Sequence, residues 1–311
     1  MSLEHLKNKL VKQFLCATQI SAVHFDEMTD TDVSLILDLL THDTLQNFPL
    51  KTPYVAKFLK KMINQMEKKE NELCDEIYYK YIELIQKDPN EGPFYKHYAF
   101  NSDETDEIKS ILTIQESTSI VSHGTTGLCT WQAGIAMACW CLRNKHLLDN
   151  RVIMELGCGT GLSGLSACIN CKPREYWFTD CHSAVLDVLK NNIQVNQNLH
   201  TFNCKFKVVQ LSWDNIGDVK LNYETKPDLV LAADVVFDQN MFDPLCDALK
   251  WLMMNGTTEI YLFCTQRNPE TFKTFQEKLK SCNLNFKRDI LPDNYSILLQ
   301  QDCPIYVIHI K

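Results

Sequence analysis

The 311-residue chain lacks any apolar run near the roughly 18 residues of a membrane span, so no membrane partner is expected. Its N-terminus lacks the apolar stretch of a secretory signal. Arginine is absent before Arg143. Leu3, Leu6, Leu10 and Phe14, interleaved with Lys7, Lys9 and Lys12, therefore read as an ordinary amphipathic helix and not as an arginine-rich organelle presequence. Basic residues are sparse in the first part: residues 1–123 carry 13 Lys against 20 Asp and Glu, while the remainder is nearly balanced at 18 against 19. Such a surface does not suit a phosphate backbone, and no nucleic acid is expected as a partner. It is either a solvated acidic face or a docking face for a basic protein.

Cysteine is plentiful, at 14 residues, but its pattern is incomplete. Cys168-x-x-Cys171 has no second pair to finish a four-ligand zinc site, so the thiols read as buried and reduced and no metal is expected. Glycine is scarce, at 10 residues, and three of them fall between positions 157 and 161. The segment Arg151-Val-Ile-Met-Glu-Leu-Gly-Cys-Gly-Thr-Gly161 is an apolar strand ending in a carboxylate, then a tight turn, then a helix-compatible run. A backbone turning this sharply beside a ligand needs residues without Cβ. The layout is that of a nucleotide or nucleoside cofactor at the first strand-to-helix turn of an α/β sheet. A glycine turn that binds nothing is the alternative. The third glycine of a dinucleotide fingerprint is missing, since Leu162 stands there, which speaks against a nicotinamide-dependent oxidoreductase.

The chain is long enough for a core domain and a sizeable extension. Residues 1 to about 87 read as helices. One is expected from Thr31 to Leu40. Another starts with Thr52 as N-cap and Pro53 at the first helical position, with Phe58, Leu59, Met62, Ile63 and Met66 at helical spacing. A further helix follows Leu73, Ile77, Tyr81, Leu84 and Ile85. Asp88 to Pro93 is a linker. Short strands are expected at Ile111–Ile114 and Ser119–Ser122, with a turn at Gly124–Gly127 and a helix over Trp131–Leu148. Strands and helices then alternate: strands 152–156, 176–179, 205–210, 228–233 and 259–264, with helices 161–171, 183–197, 241–254 and 270–281, and a closing strand at Val307–Ile310. Alternation of this kind predicts a mainly parallel sheet with helices on both faces. The boundary is drawn between a helical region of residues 1–110 and an α/β domain of residues 111–311.

Carboxylates stand where this architecture opens to ligands. Asp180 ends the second strand and can accept both hydroxyls of a ribose, or it serves only the start of the following helix. Trp213, in Ser212-Trp-Asp214 after the third strand, is a core lid or a stacking surface for a base. Asp234 ends the fourth strand and could orient an incoming amine or take its proton, or cap a turn. The loop Asp234-Val-Val-Phe237 lacks the two prolines of an [Asp/Asn]-Pro-Pro-[Tyr/Phe] loop, which weakens amide and adenine nitrogens as targets. Arg267 could grip an acidic group of a substrate or pair with a local carboxylate.

G-x-G-x-G with the preceding Glu155 resembles the first motif of S-adenosylmethionine-dependent methyltransferases. With Ser212-Trp-Asp214 and Ala233-Asp-Val-Val-Phe237 it resembles the seven-β-strand protein-lysine methyltransferases. Glu116 to Trp131, Phe178-Thr-Asp-Cys-His-Ser183, Thr265-Gln-Arg-Asn-Pro-Glu-Thr271 and Asn47 to Tyr54 are similar to the elongation factor 2 lysine methyltransferases. The resemblance implies a seven-stranded Rossmann-like methyltransferase sheet of order 3-2-1-4-5-7-6, preceded by an N-terminal helical extension; because that extension lies outside the cofactor core and carries most of the net charge, it is expected to dock the protein substrate. It implies methylation of a lysine on elongation factor 2 in the cytoplasm, with S-adenosyl-L-methionine as donor and S-adenosyl-L-homocysteine as product. The site would comprise Trp131, Glu155, Gly157, Cys158, Gly159, Gly161, Asp180, Trp213 and Ala233 around the donor, with Asp234 and Phe237 toward the acceptor. Relatives in the wider group often carry Tyr at the position of Phe237, so a role for that hydroxyl does not transfer. Another protein or a small-molecule amine as acceptor, and a binding protein without turnover, are the competing readings.

Overall fold

The computed structural model describes residues 8–69, 75–89, 92–101, 108–117, 125–218, 226–292, 295–296, 298–299 and 303–311. It divides into two compact units, Met1–Thr118 and Ser119–Lys311.

The first unit is helical with one hairpin. Helices α1 (Lys9–Leu15), α2 (Asp30–Thr41), α3 (Asp43–Asn47), α4 (Thr52–Lys68) and α5 (Asp75–Gln86) precede antiparallel strands β1 (Phe94–Asn101) and β2 (Ile108–Glu116). α2 starts at a capping box, in which Asp32 Oδ2 accepts from the Thr29 backbone N–H at 2.7 Å. α4 differs slightly from expectation: Lys51 is its N-cap, Thr52 is already helical, and Pro53 is the second residue. Its apolar face is buried, and Phe58 meets Phe14 and Phe25 edge-on at 4.9 and 5.0 Å. On α5, Ile77 and Leu84 are buried while Ile85 falls off the stripe and is exposed. The strand expected from Ile111 is part of the hairpin. Its His97 is fully buried, within 3.0 Å of both Thr113 Oγ1 and the Phe48 carbonyl, and burial pushes it down to about 4. The compact units divide at 118/119, beyond the sequence-derived 110/111. The expected strand Ser119–Ser122 lies outside the described residues.

The second unit contains α6 (Gln132–Arg143), α7 (Lys145–Leu148), β3 (Val152–Leu156), α8 (Leu162–Asn170), β4 (Glu175–Asp180), α9 (Ser183–Leu199) and β5 (Lys205–Gln210). β6 (Leu229–Ala233), α10 (Phe242–Met254), β7 (Glu259–Thr265), α11 (Pro269–Ser281), β8 (Phe286–Ile290) and β9 (Ile305–Ile310) follow. The sheet order is β5-β4-β3-β6-β7-β9-β8, which is the expected 3-2-1-4-5-7-6. The first five strands pair in parallel, and β9 runs antiparallel to both neighbours. Every residue of β3 is buried, as a parallel strand covered on both faces requires. The helix expected over 131–148 is two helices, separated at Asn144. β3 pairs with β4 on one side and with β6 on the other. Strand order therefore reverses at β3, and a crevice opens at the carboxyl ends of these strands.

Candidate active site

A cavity of about 370 Å³ occupies that crevice, within the usual size of small-molecule sites. Ten of the eleven residues expected from sequence line it: Trp131, Glu155, Gly157, Cys158, Gly159, Asp180, Trp213, Ala233, Asp234 and Phe237. Gly161 does not.

The turn after β3 explains that division. Gly157, Gly159 and Gly161 have φ of 65°, 52° and 86°, the left-handed region that penalises a side chain. A Cβ on Gly159 would stand 3.2 Å from the Gly127 carbonyl oxygen, so bare backbone forms the wall there. A Cβ on Gly161 would instead meet Leu189 Cδ1 at 2.3 Å. Gly161 is the N-cap of α8, where it lets the helix start close against α9. Asn192, fully buried on α9, donates to the Thr160 carbonyl at 3.0 Å and ties the turn to the same helix.

Glu155 lies under the turn. Its Oε2 accepts the Tyr176 hydroxyl at 2.9 Å, and burial pushes its carboxyl up to about 8, which leaves it protonated at neutral pH. The neighbouring Cys158 thiol is raised well above its usual value, first by burial and then by Glu155 and Asp180. It is therefore a neutral wall and not a nucleophile.

Asp180 ends β4 with one oxygen on the Gly159 N–H at 3.3 Å and the other on the His182 N–H at 3.1 Å. Burial raises its pKa, and these backbone donors oppose the rise. Trp213 opens a short 3-10 helix, Trp213–Asp218. Its ring packs on the core of this unit and also reaches the cavity, with Cζ2 at 3.9 Å from where a Gly157 Cβ would be.

Asp234 follows β6 at φ 54°, a left-handed conformation unusual for a residue with a side chain. Its carboxylate accepts from Thr265 N and Oγ1 at 3.0 and 3.1 Å, and from Ala133 N at 3.3 Å. Arg267 adds two contacts, Nη1 to Oδ1 at 3.4 Å and Nη2 to Oδ2 at 3.2 Å. Arg267 thus pairs with a local carboxylate. Phe237, 58% exposed, stands at the mouth.

Sequence reasoning did not single out Thr125, Gly127, Leu211, Val235 and Met241 as part of this wall. Gly127 had a signal, in the Gly-Thr-Thr-Gly turn four residues before Trp131. Leu211 and Val235 flank Trp213 and Asp234 but carry no chemical mark of their own.

A family model described as lysine methyltransferase matches residues 107–282. Protein-lysine N-methyltransferase EEF2KMT of Homo sapiens is 31% identical over 305 residues, which cover 91% of this chain and 90% of that one. The Bos taurus protein of the same name is 33% identical over 270 residues, 79% of this chain and 77% of that one. Calmodulin-lysine N-methyltransferase of Arabidopsis thaliana is 25% identical over 171 residues, 55% of this chain and 54% of that one.

Proposed function

The chain belongs to the lysine methyltransferase family, and on that premise we propose that it transfers methyl groups from S-adenosyl-L-methionine to a lysine of elongation factor 2 in the cytoplasm. The observation that carries this reading is the cavity at the sheet's switch point, where a bare glycine turn lies between Asp180 and the Asp234–Phe237 loop. The acceptor comes from the relatives. The human and bovine proteins, whose names point to that factor, match across 91% and 79% of this chain, so their likeness extends well into the first unit. The calmodulin-directed relative matches only 55%.

The residues present fit the donor. Exposed backbone at Gly159 admits a close ligand, because no Cβ stands before Gly127. Each Asp180 oxygen takes one backbone N–H and keeps acceptor capacity for a ribose hydroxyl. Trp213 and Leu211 offer apolar surface for the base. Glu155, protonated beneath the turn, adds no negative charge and supports the turn from below. The donor, when bound, supplies a methyl group on a sulfonium, so good a leaving group that proximity and alignment are the main demands on the protein.

On the acceptor side the protein must present a neutral amine, whose ordinary pKa of roughly 10.4 has to fall. Apolar surroundings do this by disfavouring the ammonium form. Phe237 and Met241 supply such walls at the mouth, and Phe237 has no hydroxyl to hydrogen-bond the amine. The Asp234 oxygens are committed to protein donors. Asp234 therefore shapes the mouth and does not receive the proton. Residues 1–118 hold most of the net negative charge. This unit serves to dock the protein substrate.

Incubation with labelled methyl donor and cytosolic extract lacking the endogenous enzyme, followed by mass spectrometry, tests the reading. Label on a lysine of elongation factor 2 is expected. Label on RNA or on a metabolite would overturn the acceptor.

A further inference from the structure

We infer that Arg267 is a positioning residue of the methyl-transfer site, fixing and neutralising Asp234 so that the acceptor lysine meets the mouth as a free amine. The inference rests on the reading above that the acceptor is a lysine side chain.

Arg267 is absent from the cavity wall, yet it binds two residues that form it. One is Asp234, gripped through both carboxylate oxygens. The other is Trp131, whose ring centroid lies 4.5 Å from the guanidinium carbon. Trp131 is itself held at its edge, where Nε1 donates to the Thr126 carbonyl at 3.0 Å. A single planar cation thus joins three loops: the one before α6, the one after β6 and the one after β7. Lysine lacks the fork for such a two-sided contact. The loop after β6 needs a hold, because Asp234 is in a left-handed conformation that persists only where surroundings impose it.

The charge argument is independent of the geometric one. The Asp234 side chain is 5% exposed, and it lies where a substrate ammonium would approach. A lone carboxylate there would stabilise the ammonium and raise the lysine's pKa, which opposes transfer. A guanidinium 3.2 Å away offsets that field. The other titratable groups lining the cavity are Glu155 on β3, Asp180 and His182 at the end of β4, Asp238 on the Asp234 loop, and the thiols of Cys129, Cys158 and Cys181. The Cys264 thiol lies behind Asp234 on β7, pushed up by burial and by that carboxylate. None of these groups is altered in the Arg267 variants, and Arg267→Lys, which loses the fork but keeps the charge, separates charge from positioning.

The test is the pH profile of kcat for wild type, Arg267→Gln and Arg267→Lys, with saturating donor and elongation factor 2 as acceptor. Calorimetry gives donor affinity, and thermal unfolding confirms the fold. Arg267→Gln should move the acid limb up by about one pH unit, with kcat about tenfold lower along that limb. Donor Kd should change by less than about threefold, because Asp180 is not touched and Trp131 keeps its hydrogen bond to the Thr126 carbonyl. Arg267→Lys keeps the charge and should return the limb to its wild-type position. Coincident limbs for wild type and Gln, or a Lys limb displaced as far as the Gln limb, would overturn the inference. If Arg267→Gln does not fold, a displaced limb in the Lys variant alone overturns it. A wild-type protein that labels no protein lysine would instead refute the acceptor reading, and this inference with it.

Discussion

Asp180 accepts the backbone N–H of Gly159 at 3.3 Å, so the carboxylate that faces the cavity also closes the turn that lines it. The replacement Asp180→Ala therefore removes a ligand acceptor and a loop anchor together. Donor affinity is expected to fall by about 10- to 100-fold, the scale of losing hydrogen bonds to a charged group. Calorimetry with S-adenosylmethionine measures it, and an unchanged Kd would refute the assigned role.

Two glycines of the same turn should separate into different phenotypes. Gly161→Ala places a Cβ 2.3 Å from Leu189 Cδ1 at φ 86°, away from the cavity. It should cost about 1–3 kcal/mol of stability while the folded fraction keeps its donor affinity. Gly159→Ala places its Cβ toward the Gly127 carbonyl on the cavity wall. It should lower donor affinity by more than its loss of stability accounts for. Equal ratios of the two effects in both variants would contradict the placement.

Glu155 gives a pH signature in stability. Its folded carboxyl lies near 8, above the unfolded value of 4.5, first because of burial. A raised folded pKa favours the native state most below about 4.5, and this contribution is lost as pH rises toward about 8. Glu155→Gln cannot ionise and escapes that loss. Relative to wild type, the Gln variant should gain stability between pH 5 and 8, by at most about 1.4 kcal/mol per pH unit. Denaturant unfolding across that range measures it, and a pH-independent difference would show that the carboxyl is not held neutral.

Removal of residues 1–118 is expected to abolish methylation of elongation factor 2 while donor binding stays measurable, since the described residues lining the cavity run from Thr125 to Met241. Full activity in a soluble truncated protein would exclude the first unit from docking.

The legible parts of the sequence were those where one residue type has one physical use. β3, as Val-Ile-Met-Glu-Leu before a glycine turn, read as a buried parallel strand, and every residue of it is buried. β8, Phe286-Lys-Arg-Asp-Ile290, was illegible because an edge strand with four exposed residues carries no apolar alternation. β1 was hidden behind the Asp88–Pro93 punctuation. The partner of Arg267 lay 33 positions away, and no local pattern distinguishes a guanidinium aimed at Asp234 from one aimed at a ligand. Gly161 looked equivalent to its neighbours, since spacing records the need for glycine without saying whether a ligand or a helix imposes it.

β9 lies between β7 and β8, although β8 precedes it in the chain. Among the described residues β8 pairs with β9 alone, so it has no backbone partner there until β9 is in place. A premature stop between Ile290 and Ile305 would thus strip two strands from the sheet. It would bare the β7 edge for pairing with other chains, making aggregation, with the cavity residues still encoded, the expected fate of such a product.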